Sequence, residues 1–258
     1  MKKRDNCYKG KKAQVAIWFI IAIVIVALLA AIYVFSKKPI TPGVEFENPQ
    51  DRIESCAIDA VNEAAELIIK HGGFVEPKNF KIYKNNKIEY LCENTGNFKP
   101  CINQHPMLFE EIKKEILNYV YPRIDQCFTT AKEELEKRQY SVSMEPMKIN
   151  VTLASDRIFL FIDRDLTLSK QENTERFKDF NIEINNPLYD LAKLAVEIGN
   201  QEAKFCYFEY VGYMILYPRF SIEKVALSDS TKIYTLKDKH SNKEMNIAVR
   251  GCAIPPGI

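Results

Sequence analysis

Seven cysteines punctuate this 258-residue chain, and six of them, Cys56, Cys92, Cys101, Cys127, Cys206 and Cys252, follow residue 50, whereas Cys7 precedes a long apolar run. Thiols in an oxidising compartment pair as disulfides, and an even number of them invites that chemistry. Six cysteines allow fifteen pairings, and spacing alone does not choose among them. Cys92 and Cys101 bracket a loop of Gly, Asn and Pro short enough to close locally. Cys56 and Cys127 fall on two stretches of helical periodicity that can face one another, which leaves Cys206 with Cys252. Each bridge adds about 2–4 kcal/mol by restricting the unfolded chain. Metal ligation is the competing chemistry. Cys92, Cys101 and His105 form a Cys-x8-Cys-x3-His run, but that spacing matches no strong zinc pattern and lacks a fourth ligand. His71, His105 and His240 stand far apart, and neither a His-Glu-x-x-His motif nor a phosphate-cradling Gly/Lys loop occurs. The expectation is no metal site and no cofactor.

Three further groups carry chemistry in principle. Asp163-Arg164-Asp165 places two carboxylates on one face of an expected strand, which could hold a divalent cation. With no third acid nearby, a charged strand end beside Arg157 is the plainer expectation. Asn150-Val151-Thr152 is an N-glycosylation acceptor inside another expected strand. Ser143-Met144-Glu145-Pro146 resembles the nucleophile box of type I signal peptidases, which are anchored enzymes with an external active site. That resemblance implies a serine peptidase in which a neutral lysine activates Ser143. It covers four residues, more than 100 positions past the apolar run, and Arg250-Gly251 continues with Cys252 where the family has Arg-Gly-Asp. No catalytic residue is assigned.

The elements that must position these groups begin with a membrane segment. Residues 13–35 carry no formal charge, and at about 1.5 Å per residue they reach roughly 34 Å, enough for a hydrocarbon core of about 30 Å. Trp18 and Tyr33 lie near opposite ends, where amphipathic rings prefer the headgroup level. Six basic residues and one acid precede the run within residues 1–12, and only Lys37 and Lys38 follow it closely, so the N-terminus is held in the cytoplasm. A cleaved secretory signal has a shorter apolar region with small residues at its end, whereas this run ends Ile-Tyr-Val-Phe. The expected organisation is a basic segment over 1–12, a transmembrane helix over 13–35, a tether over 36–47 and an extracytoplasmic domain over 48–258. The N-terminal segment carries +5 of a net charge of +2, leaving −3 on the rest, which excludes a basic nucleic-acid-binding surface of the usual kind.

Within the external part, Asn48-Pro49 opens a helix that stops at Gly72-Gly73. The alternating stretches 80–83 and 87–92 form a hairpin around Asn85-Asn86. A helical region from Pro106 is interrupted at Pro122 and runs on to about Arg138. Strands are expected at 149–153, 158–162 and 180–184. Asn186-Pro187 starts a long helix whose apolar positions extend to Phe205 and Phe208, and strands return at 220–227, 232–236 and 245–249. Helices and strands in blocks favour an α+β fold with a mostly antiparallel sheet.

Lys11-Lys12-Ala13-Gln14-Val15-Ala16-Ile17 resembles the class III signal of archaeal type IV pilin-like proteins, which implies peptidase cleavage between Ala13 and Gln14. The family's glutamate at the fifth mature position is here Trp18, and Pro39 and Pro42-Gly43 stop the helix from continuing as a filament core. With the Gly-Gly-Phe-Val and Arg-Gly-Cys-Ala-Ile-Pro-Pro segments, the chain also resembles uncharacterised archaeal membrane-anchored proteins with similar cysteine placement. The expected function is that of a single-pass, non-catalytic display domain at the cell membrane, with a binding or structural role. Its expected partners are the lipid bilayer and a protein at the cell surface, and no nucleic acid. A pilin-like surface subunit is the alternative.

Overall fold

The computed structural model describes residues 48–252 except 95 and 97, together with Val24, Ile25, Val26 and Leu28. Val24, Ile25, Val26 and Leu28 are helical and exposed. The segment 1–12, the rest of 13–35, the tether, Cys7 and the Ala13–Gln14 bond lie outside the described residues. Among the described residues, no helix is long and apolar enough to cross a membrane.

The domain over 48–258 is α+β. Helix α1 (Pro49–Lys70) starts where the Asn48 side chain accepts the Gln50 N–H at 3.1 Å, with Asp51 in the positive first turn. Its buried stripe includes Ile53, Ala57, Val61, Ala64 and Ile68, the 3–4 spacing of one helix face. The helix ends at Gly72, whose φ of +77° and 2.8 Å approach of a notional Cβ to the Asn246 carbonyl leave room for glycine alone. Helix α2 (Leu108–Lys137) packs along α1 and buries Ile112, Ile116, Val120, Ile124 and Phe128. The expected interruption at Pro122 does not occur. Pro122 is exposed, so the carbonyl of exposed Asn118 that it leaves unbonded can be wetted, and Arg123 Nη1 donates to the next carbonyl, Tyr119, at 3.0 Å. Burial of the stripe on both sides outweighs the lost bond.

Between the helices lie β1 (Phe80–Tyr83), β2 (Asn86–Glu93) and the short β3 (Ile102–Asn103). The two-residue hairpin turn is Lys84-Asn85, both at positive φ, one position earlier than expected. After α2 come β4 (Ser141–Met144), β5 (Lys148–Ala154), β6 (Arg157–Asp163), β7 (Leu166–Lys170), β8 (Asn173–Phe177) and β9 (Phe180–Asn185). Helix α3 (Leu188–Phe205) passes through Gly199 without interruption, and a separate short helix, α4 (Tyr210–Leu216), precedes β10 (Phe220–Ala226), β11 (Thr231–Asp238) and β12 (Glu244–Arg250).

The strands form three sheets: β1-β2-β12-β11-β10 with β3 beside β2, β4-β7-β8, and β5-β6-β9. Every pairing is antiparallel except β12 with β2. Helices α1 and α3 touch both the first sheet and the β5-β6-β9 sheet, so the helices fill the layer between them. One apolar core runs through that layer, and a small second cluster of Ile88, Tyr90, Ile233 and Ala248 forms separately.

The six cysteines after residue 50 form three disulfides. Cys56–Cys127 joins α1 to α2 with Cα atoms 6.3 Å apart, Cys92–Cys101 closes the β2–β3 loop at 5.4 Å, and Cys206–Cys252 ties the end of α3 to the residues after β12 at 5.5 Å.

Candidate functional site

The segment joining α3 to β10 carries the most exposed large apolar side chains among the described residues, Ile215 and Leu216. Helix α3 ends at Cys206, whose φ of +58° is uncommon for a side chain other than glycine. Three devices hold that end in place. The Cys252 bridge is covalent; Lys232 Nζ donates to the Cys206 carbonyl at 2.9 Å and to Glu202 at 2.5 Å; and the buried Tyr234 hydroxyl also donates to Glu202. Burial, and then the Glu202 carboxylate, push the Tyr234 phenol far above its ordinary value, so it remains a protonated donor.

From this anchored end the chain turns inward at Phe208, which is buried against the Tyr213 ring at 5.5 Å and the Tyr234 ring at 6.3 Å. It then turns outward into α4. Glu209 caps that helix, accepting the Gly212 N–H at 3.2 Å, and Tyr207 donates its hydroxyl to the same carboxylate at 2.7 Å. The Tyr207 bond, then the Gly212 N–H, lower the Glu209 carboxyl below its usual range, so it is charged. The helix sequence Tyr-Val-Gly-Tyr-Met-Ile-Leu carries no charge. Tyr210, Tyr213 and Met214 pack partly against the core. Val211, Ile215, Leu216 and Tyr217 face solvent, with Ile215 and Leu216 each 76% exposed, and Phe205 and Tyr207 extend the patch toward α3. Lys224 lies 5.1 Å from the Tyr207 and Tyr210 ring centres, and Lys204 lies 4.9 Å from that of Phe205. The result is a rigidly held apolar and aromatic lobe with a charged rim.

Of the grooves elsewhere among the described residues, two hold residues singled out in the sequence. Between α1 and α2, Arg52, Asp59, Glu63 and Arg123 surround the Cys56–Cys127 bridge in a groove of about 390 Å³, where Arg52 binds Glu134 at 2.7 Å and Arg123 approaches Glu63 at 3.5 Å. These pairs cross-link the helices. The second lies on the outer face of β5-β6-β9, where Asn150 is exposed.

The residues singled out in the sequence do not converge. Cys92 and Cys101 are bridged to each other, which removes them as zinc ligands; His105 sits instead between Glu89 and Glu111. Among the described residues, no three Asp, Glu, His or Cys side chains are placed to hold a metal ion. Asp163 and Asp165 do not share a strand face, because the chain turns between β6 and β7. Asp165 is buried against Arg176, while Arg164 donates to Asp125 at 2.7 Å and to the Glu145 carbonyl at 2.9 Å. Ser143 is exposed on β4 opposite Thr167, and its hydroxyl has no hydrogen bond to a lysine among the described residues. The sequence reading assigned Phe205 and Phe208 to the face of one long helix and so missed the lobe. The signal was present: residues 205–217 carry a single charge, at Glu209, among six aromatic rings, a composition as consistent with an interface as with a core.

Comparison with protein-family models, curated proteins and solved structures finds no match.

Proposed function

We propose that this chain is a single-pass, membrane-anchored protein that displays its α+β domain outside the cell membrane as a binding module. The α4 lobe is its contact surface for a protein partner at the cell surface. The observation that carries this reading is the wetted apolar helix itself. Ile215, Leu216, Val211 and Tyr217 stand in solvent on a scaffold rigid enough to keep them there, and each such side chain gains roughly 1.5–3 kcal/mol on full burial. Patches of this kind mark interaction sites. Aromatic rings with Met at the centre and charges at the rim are the composition of protein interfaces. The charged Glu209, bonded within the patch, disfavours contact with anionic lipid. The basic start, the uncharged run over 13–35 and the disulfides of the domain support the anchor and its external side.

The test is a photo-reactive residue at position 216 of the full chain in its native membrane, with position 175 on the charged β8 strand as control. A discrete protein adduct at 216, absent at 175 and lost with Ile215→Asp, is the expected result. Lipid adducts alone, or adducts equal at both positions, overturn it. The basic-Ala13-Gln14 motif favours a second reading, a pilin-like subunit cut between Ala13 and Gln14. A mature protein beginning at Gln14 supports that reading; an intact N-terminus removes it.

A further inference from the structure

The β5-β6-β9 sheet turns one face to the core and the other to solvent. Val151, Ile158, Leu160, Ile162, Phe180, Ile182 and Ile184 point inward, as strict period-2 alternation requires. The outward positions should then be polar, yet the central strand presents Phe159 and Phe161, 37% and 40% exposed. Register places Phe161 directly between Asn150 and Asn181, and Phe159 between Thr152 and Glu183. Asn150 and Thr152 are the two recognition residues of the Asn-Val-Thr acceptor, and both are exposed on this face. Strand β5 is at the sheet edge, so one flank of Asn150 is open. The same residues line a shallow groove of about 330 Å³, room for a small ligand unit.

We infer that Asn150 carries an N-linked glycan whose first sugars lie across Phe161 and Phe159. The inference rests on the external placement proposed above. In the linkage reaction the Asn150 amide nitrogen forms a bond to the anomeric carbon of a lipid-phosphate-linked oligosaccharide. The bond from that carbon to the phosphate oxygen breaks, its electron pair leaves with the lipid phosphate, and one amide proton passes to a base of the transferase. The apolar C–H face of the sugar then covers the two rings, and the Asn181 amide and Glu183 carboxylate stand beside them as partners for hydroxyls. This accounts for wetted phenylalanines on a sheet face that is otherwise polar.

The experiment is mass spectrometry of the full chain from a host with a membrane-exterior oligosaccharyltransferase, paired with protease treatment of the intact cells. The peptide containing Asn150 should carry sugar mass, lost in Asn150→Gln and in Thr152→Ala and kept in Thr152→Ser. An unmodified Asn150 on a domain that protease reaches from outside overturns the glycan inference alone. A domain that protease cannot reach overturns the placement on which it rests. A thermal cycle tests the sugar's position: Asn150→Gln should lower Tm by about 2–4 °C in the wild-type background and leave it unchanged in Phe159→Ser/Phe161→Ser. An equal shift in both backgrounds overturns the contact with the rings.

Discussion

At residue scale, His105 is held by two acids at once: its Nδ1 lies 2.6 Å from Glu111 and its Nε2 lies 3.5 Å from Glu89. Burial lowers its pKa, but the bonds to Glu89 and Glu111 outweigh that and raise it above 6.5. A raised histidine contributes its stability in full below the unfolded value and loses it as pH rises through the folded value. His105→Gln should therefore cost Tm at about pH 5–6 and little at about pH 9, so its Tm curve converges on wild type as pH rises; a constant offset would contradict this. Arg219 is the other charged hub. Its Nε donates to the fully buried Asp238 at 2.7 Å, and its other nitrogens reach Asp156 and, at 3.6 Å, Asp190. Burial alone would raise the Asp238 pKa, but Arg219 and Ser241 hold it down at about 2, against 3.8 unperturbed. That stability is present above 3.8 and disappears as pH falls through about 2, and it amounts to roughly 2 kcal/mol. Arg219→Met strands a buried carboxylate, so urea unfolding at neutral pH should show a loss of about 3–5 kcal/mol. A loss under 1 kcal/mol, on the order of a surface pair, would refute the hub.

At the scale of elements, the bridges act with the logarithm of the length of chain they close. Cys56–Cys127 spans 71 positions and Cys92–Cys101 only 9. Chain-entropy arithmetic assigns about 4 kcal/mol to the first and about 2.5 kcal/mol to the second. Denaturant unfolding of the Cys56→Ser/Cys127→Ser and Cys92→Ser/Cys101→Ser variants should reproduce that order; the reverse order would mean that local strain dominates. Elements also differ in how plainly the sequence announces them. Helix α1 shows its cap, its stripe and its glycine stop in consecutive residues. Strand β8 went unrecognised because it is exposed almost throughout, and alternation cannot appear where neither face is buried; β7 buries Leu166 and Leu168, an alternation too short to stand out. Pro122 misled for the opposite reason: a local rule argued for a break, and the burial of Ile112 through Phe128 carried the helix across it.

At the scale of the whole molecule, the apolar core of the domain over 48–258 runs from Ile53 to Val249. Protease added to intact cells should release this domain by cutting the tether over 36–47, and protection in intact cells with cleavage in lysates would reverse the proposed orientation. The sequence by itself determined what depends on neighbours along the chain: an uncharged run long enough for a bilayer, caps, turn residues, the α+β class, and six cysteines that follow that run. It could also nominate Asn150, since an acceptor motif is local. Tertiary structure alone decided which faces meet. It set His105 between Glu89 and Glu111, split Asp163 from Asp165 across a corner, and left Ile215 and Leu216 in water rather than in the core. Periodicity reports that a face is apolar, but whether another element arrives to cover it is a long-range outcome of packing, and for the Val211, Ile215 and Leu216 side of α4 none does among the described residues.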